Sequence, residues 1–449
     1  MTPQTDLPRR LLRATLIAVS LSVLFIVVYG GTNWLAAHRA SDDVGTWYFD
    51  WELTAIPYVP LLVVPYMTLD LFFFFAPFLC RDERELHTFA KRMVFTILVA
   101  AVFFVAWPLR IVWDRPVLEG WFGEFVETSW SVPYLLEYPH NLFPSLHITL
   151  CMIVADTYIR HTRGFLRGLS YVWSGLIWIS TILTWQHHLV DLAGGVMLAG
   201  YAFYFYRESD AVLPVSPNYR VGSYYAVGAI LIFAFVPLTW PWGVFLTWPA
   251  IALSIVAAAY FGIGPGIFRK TEGVLPWSTR FVLAPALLGQ YLSLLYYRLR
   301  CRAWDEAAPG VLIGSALSER EADEAIRQGV TAVLDLTTEL SEAAPFRDLN
   351  YRNIPILDLT APTPEQLREA VAFITEESSC GVVYVHCKLG YSRSAAVVGA
   401  YLLASGIAAS PEEAIERLRA VRPSIVVRPE AMQALHAFAR EHQFAFGLS

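Results

Sequence analysis

The sequence predicts a polytopic all-α membrane domain followed by an α/β domain. Three observations carry that expectation. Hydrophobic residues make up 56% of the 449-residue chain and charged ones only 16%, too apolar a balance for a water-soluble protein of this length. The excess is uneven: apolar blocks with short polar breaks run from Leu11 to about Tyr297, and an ordinary mixture of charged and apolar residues follows Cys301. Within the second stretch, a β-branched run from Gly381 to His386 passes through a tight loop into an Ala/Val/Leu-rich helix reaching about Ala404, the signature of a buried strand feeding a helix.

A membrane span takes about 20 mostly apolar residues. Segments 12–36, 55–79, 93–113, 145–159, 169–186, 189–206, 222–239 and 243–262 qualify, and 281–297 is a weaker candidate with Gln290 in its middle. The expected division is a membrane domain at 1–262, a connector or further span at 263–307, and an α/β domain at 308–449. Arg9, Arg10 and Arg13 precede the first span, and basic clusters at Arg81–Arg92 and Arg160–Arg167 recur two spans apart. Basic residues stay inside, so the N-terminus is expected inside and the 114–144 and 185–191 regions outside. The formal net charge of −6 without a basic stripe argues against a nucleic-acid partner,, and membrane lipids are the expected surroundings. Cys80, Cys151, Cys301, Cys380 and Cys387 show neither metal-ligand spacing nor a disulfide framework,. No metal or organic cofactor is therefore expected, and a reducing compartment fits.

The chemistry of the α/β domain centres on Cys387-Lys388-Leu389-Gly390-Tyr391-Ser392-Arg393. A strand, a tight loop and a helix N-terminus converge backbone N–H groups on an anion. A thiol of ordinary pKa about 8.5 falls to about 4–7 beside a helix N-terminus and a cation, so Cys387 is expected to be a thiolate nucleophile. Arg393 can grip a phosphate bidentately, Gly390 lets the backbone approach closely, and Ser392 can stabilise the leaving thiolate. Lys388, Leu389, Gly390, Tyr391, Ser392 and Arg393 are the expected phosphate cradle. The competing reading of Cys387 is a buried core cysteine. A general acid is needed for the leaving alkoxide, and Asp358, where a strand runs into a Pro-containing loop, is the candidate. Asp335 is expected to be structural, at a strand end.

From about Pro309 to Phe446 these residues resemble the dual specificity protein phosphatases. The likeness is carried by Pro355-Ile-Leu-Asp-Leu-Thr-Ala-Pro-Thr, by Val383-Tyr-Val-His-Cys-Lys-Leu-Gly-Tyr-Ser-Arg-Ser and by Ser410-Pro-Glu-Glu-Ala. It is greatest for the mitochondrial type that dephosphorylates phosphatidylglycerophosphate. The resemblance implies an α/β phosphatase domain with Cys387 as nucleophile, Arg393 on phosphate and Asp358 as acid. It favours a lipid phosphate substrate over a phosphoprotein. Where that family carries Gln after its late Arg-Pro, this chain has Ala431.

Polar residues interrupt the apolar half twice, and ionisable groups there suggest function. Pro144-Ser-Leu-His147 opens one expected helix. Gln186-His187-His188-Leu-Val-Asp191 opens another, with Asp191 one turn from His187,. A histidine oriented by an aspartate can attack phosphorus while a second protonates the leaving group. The alternative is interfacial histidines acting as polar caps, and His188 is read as structural. Over about 90–205 these motifs resemble the type 2 phosphatidic acid phosphatase superfamily, which implies catalytic His147, His187 and Asp191 and a phosphate-binding Arg115. Thr181 and Pro108 replace two cations of that family, as in its inositol phosphorylceramide synthase-like branch. A phosphatase and a phosphotransferase are equally implied.

The function expected of the whole is lipid phosphate metabolism in a bacterial-type inner membrane, with the C-terminal domain in the cytoplasm. The alternative is a signalling phosphatase acting on phosphotyrosine proteins, with a degenerate lipid-binding anchor.

Overall fold

Helices occupy the chain as far as Arg298, and a five-stranded sheet with its own helices follows. The structure is a computed structural model that describes residues 7–39, 44–131, 140–208, 216–299 and 301–446. Residues 132–139 of the region expected to face outward lie outside the described residues. The chain folds as two compact units, Met1–Ser209 and Asp210–Ser449.

The first unit comprises α1 (Leu7–Ala37), α2 (Glu52–Ala55), α3 (Val63–Leu79), α4 (Glu83–Ala106), α5 (Gly120–Ser131), α6 (Leu146–His161), α7 (Gly164–Leu183) and α8 (Leu189–Phe205). Its core gathers Leu69 and Phe73 of α3, Met93 and Ile97 of α4, Leu150 and Ile153 of α6 and Leu198 of α8. Large apolar side chains such as Leu16, Val23, Leu98 and Val102 point outward, as lipid-facing positions do. Asp82 caps α4 by accepting the Glu85 N–H at 2.9 Å,.

Five helical segments of the described chain are long and apolar enough to cross a membrane: Leu7–Ala37, Pro60–Leu79, Glu83–Ala106, Tyr219–Thr239 and Trp242–Ile263. This is a membrane protein. The expected spans at 145–159, 169–186 and 189–206 are helical as α6, α7 and α8 but are not among those five.

The second unit opens with α9 (Tyr219–Phe235), α10 (Thr247–Ala258), α11 (Trp277–Val282) and α12 (Ala284–Arg298). Helices α9 and α10 form a hairpin, and α12 packs against α10. The sheet follows in the order β1-β2-β5-β3-β4, from Trp304–Ala308, Val311–Ser315, Val382–Cys387, Val330–Asp335 and Asn350–Asn353. β1 runs antiparallel to β2 and the other pairings are parallel. The interleaved helices are α13 (Glu319–Arg327), α14 (Ala344–Arg347), α15 (Pro364–Ser378), α16 (Arg393–Ala404), α17 (Pro411–Val421) and α18 (Pro429–Phe446). Alternation along β5 sends Val383 and Val385 into the core beneath α15 and α16, while Tyr384 packs with Phe346 on the opposite face,. With both faces covered, β5 reads as a continuous apolar run. The domain is thus a mixed α/β sheet with its central strand ending at Cys387.

Lys270, in the connector, reaches into this domain. Its ammonium pairs with Asp335 at the end of β3 and donates to the Thr337 hydroxyl at 3.0 Å. Asp335 also accepts from the Tyr351 hydroxyl at 2.7 Å and from the Thr337 N–H at 2.7 Å.

Candidate active site

β5 lies between β2 and β3, so Cys387 emerges in the crevice beyond the carboxyl ends of parallel strands, where open sheets bind ligands. Five residues intervene before α16 starts at Arg393. Gly390 makes the intervening turn possible: its φ is +72°, and a Cβ there would stand 2.7 Å from the Gly314 carbonyl oxygen. Arg422 straps the loop from outside. Its Nε donates to the Gly390 carbonyl at 3.1 Å, its guanidinium to the Leu389 carbonyl at 3.0 Å, and Asp305 pairs with it at 2.8 Å. With these carbonyls held by Arg422, the N–H groups of Leu389 and Ser394 meet the Cys387 sulfur.

The Cys387 thiol is buried and lies 3.4 Å from the Ser394 hydroxyl. Burial pushes the thiol up, but the Arg393 guanidinium, the Ser394 hydroxyl and the N–H groups of Ser394 and Leu389 outweigh it. Together they bring the thiol down to about 7,. The hydroxyl that meets the sulfur is that of Ser394, not Ser392.

Arg393 is held on three sides. Glu339 takes it bidentately at 2.6 and 3.1 Å, the Ile356 carbonyl accepts at 2.9 Å, and Asp358 stands 3.3 Å away. Its Nε is buried without a partner among the described residues, a donor left for an anion in the loop. Burial would raise the Glu339 carboxyl, but the charges of Arg393 and Lys388 hold it down to about 2. Beneath the loop, His386 sits 2.8 Å from Glu342 and 3.8 Å from Asp335. Burial disfavours its charge, yet the two carboxylates lift it to about 9. Asp358 receives the Lys388 ammonium at 2.7 Å and stands at the rim of the loop, one-fifth exposed. Cys387, Lys388, Arg393 and Asp358 thus share one site.

Residues 312–441 match the family described as dual specificity phosphatase, catalytic domain. The human phosphatidylglycerophosphatase and protein-tyrosine phosphatase 1 is 32% identical over 144 residues, 30% of this chain and 71% of that protein. The chain belongs to the dual specificity phosphatase family. The rat phosphatidylglycerophosphatase and protein-tyrosine phosphatase 1 is 44% identical over 87 residues, 19% of this chain and 45% of its own, so the chain spans about half the length of that relative. The crystal structure of PTPMT1 in complex with PI(5)P covers 32% of this chain and 99% of its own, at 26% identity and a TM-score of 0.30.

Sequence reasoning about this dual specificity phosphatase passed over Glu339, Arg422 and Ser394. Glu339 and Arg422 stand 54 and 29 positions from Arg393, and neither shows a local pattern. Ser394 lay within the quoted motif, and only the geometry reveals which serine turns towards the sulfur.

The first unit has its own cluster. Gly195 of α8 lets the start of α6 approach: a Cβ there would stand 2.6 Å from the Ser145 carbonyl oxygen. The Thr149 hydroxyl donates to the Gly195 carbonyl at 2.9 Å, and the Ser145 N–H to the Asp191 carbonyl at 2.9 Å. This brings His147 at the head of α6 within electrostatic reach of His187. His187 Nδ1 lies 3.5 Å from an Asp191 oxygen, which also accepts the His188 N–H at 2.8 Å. The His147 ring stacks on Tyr66 with centroids 4.0 Å apart. Arg115 donates to the Gln186 side-chain oxygen at 2.6 Å. His188 points elsewhere, 3.1 Å from Glu52 and stacked on Trp113. Glu52 is fully buried.

Proposed function

We propose that this chain is a membrane-bound phosphatase that removes the phosphate monoester from a phospholipid, of the phosphatidylglycerophosphate or phosphatidate kind, through a phosphocysteine at Cys387. The observation that carries the reading is a buried thiol, 3.4 Å from the Ser394 hydroxyl and brought down to about 7, in a loop that ends at the buried Arg393. The thiolate attacks phosphorus, forming the S–P bond as the P–O bond to glycerol breaks, and Asp358 gives its proton to the leaving oxygen. Water then attacks the phosphocysteine, Asp358 takes a proton from it, and the S–P bond breaks to release inorganic phosphate. The approach to the loop supports a lipid over a peptide: Val256, Phe268, Leu287 and Leu357 line the cleft beside Asp358. The names of the human and rat relatives include both lipid and protein-tyrosine activities.

In the first unit, His147, His187 and Asp191, with Arg115 beside them, support a second phosphoryl-handling site, a phosphatase or a phosphotransferase. A bacterial inner membrane with Cys387 in the cytoplasm suits a thiolate that must stay reduced. The test is phosphate release by the full chain in detergent from phosphatidylglycerophosphate, phosphatidate and a phosphotyrosine peptide, with Cys387→Ser and His187→Ala alongside. Loss of lipid turnover in Cys387→Ser alone is expected. Turnover of the peptide with no turnover of either lipid would replace this reading by the signalling one.

A further inference from the structure

Gln290 interrupts an otherwise apolar helix, and both ends of its amide are engaged. Its oxygen accepts from the Lys388 ammonium at 2.6 Å, and its nitrogen donates to the Tyr225 hydroxyl at 3.1 Å. Lys388 in turn holds Asp358. Two further bonds run from the α9–α10 hairpin to the same loop. The Tyr260 hydroxyl donates to the Asp358 carbonyl at 2.9 Å, and Asn218 donates to the Leu359 carbonyl at 2.7 Å. Leu359 has a φ of +61°, a conformation that a Leu backbone holds only when its surroundings impose it. Asn218 is also the N-cap of α9, accepting the Val221 N–H at 3.2 Å, so one side chain fastens the acid loop to the first turn of a membrane-spanning helix. The hydroxyl-bearing rings Tyr225 and Tyr260 stack at 5.7 Å at the ends of the hairpin's two segments, the level at which tyrosine marks a membrane surface. Beside them is a narrow cleft of about 10 Å³, lined by α10, α12 and the acid loop.

We infer that the α9–α10 hairpin and α12 are a working wall of the phosphatase site. Asn218, Tyr260 and Gln290 are positioning residues that place the general-acid loop. The inference rests on the proposed role of Asp358 as the acid. The helical hairpin ends where that acid is held, so the loop is fixed from outside the sheet.

The experiment uses the full chain in phosphatidylcholine vesicles and compares three substrates: dioleoyl phosphatidate, glycerol 3-phosphate and 4-nitrophenyl phosphate. Alkyl leaving groups need the acid; nitrophenolate, a good leaving group, scarcely does. Tyr260→Phe and Gln290→Leu are expected to lower kcat/KM about tenfold on both alkyl esters, through kcat, and to leave the aryl ester within about twofold. Both substitutions keep apolar bulk in a helical setting, and unchanged aryl turnover reports that the site is folded. Equal effects of Tyr260→Phe on alkyl and aryl esters overturn the positioning role. If the unaltered chain cleaves a phosphotyrosine peptide and no lipid, the lipid reading falls, while the ratio of glycerol 3-phosphate to 4-nitrophenyl phosphate turnover still decides the positioning role.

Discussion

Replacing Ser394 by Ala tests the reasoning about the thiol most directly. The hydroxyl is 3.4 Å from the sulfur and is among the groups that lower it to about 7. A hydrogen bond to a charged partner contributes about 1.5–3 kcal/mol, and one pKa unit corresponds to about 1.4 kcal/mol. The contact is long, so the lower end applies, and the thiol should rise by about one unit. At pH 7 the thiolate fraction then falls from about one half to about one tenth. Cys380 is exposed and would also alkylate, so the assay follows loss of 4-nitrophenyl phosphate turnover during iodoacetamide treatment of the full chain, as a function of pH. The midpoint of the inactivation rate should move from about 7 to about 8, and Ser392→Ala should leave it in place. A midpoint that stays at about 7 in Ser394→Ala, or that moves in Ser392→Ala, would refute the assignment of the hydroxyl.

Glu339→Gln takes the bidentate carboxylate from the buried Arg393 and should destabilise the second unit by about 3–5 kcal/mol; thermal unfolding in detergent checks it, and a loss under about 1 kcal/mol would mean that Asp358 and the Ile356 carbonyl suffice. Because the Glu339 carboxyl is held down to about 2 from 4.5, its stabilisation is present above pH 4.5 and is lost as pH falls towards 2,. The unaltered chain should therefore lose its advantage over Glu339→Gln across that window. His386 is raised from 6.5 to about 9, so its contribution is complete below pH 6.5 and disappears as pH rises through 9,; the stability gap to His386→Asn should close in alkali. Gly390→Ala demands both a φ of +72° and space that the Gly314 carbonyl occupies, and it should abolish phosphate turnover while the membrane helices still form, as far-UV circular dichroism would show.

The reading of the α/β domain from sequence worked because its signals are local. The alternation of β5, the glycine of the turn and the apolar face of α16 all lie within residues 381–404, where steric rules act between neighbours. Cys387, Arg393 and Asp358 followed from the chemistry a phosphate requires. What lies around them is long-range: Glu339 and Arg422 meet the loop only after the sheet and α17 have assembled, and a single carboxylate or guanidinium in a polar segment looks solvated until then. The helices show a related limit. Hydropathy marks where α9, α10 and α12 meet lipid, and so groups them with the apolar half. It is silent about packing partners, and these helices belong to the same compact unit as the sheet. Segments 145–159 and 189–206 are helical as α6 and α8, 16 and 17 residues long, since apolar content marks a short helix as it does a long one.

The Lys270–Asp335 pair sets a lower limit on the smallest fragment that could stand alone. Around the floor of the loop, two cations (Lys270 and His386) balance two anions (Asp335 and Glu342) in a region closed to water. A fragment cut where the sheet begins, at Trp304, would keep three of the four charges and lose the fourth. It would carry an excess negative charge directly under Cys387, opposing the thiolate form of that side chain. A fragment made for crystallisation or screening should begin upstream of Lys270, and the stretch between the hairpin and α12 is better regarded as the first piece of the catalytic domain than as a tether.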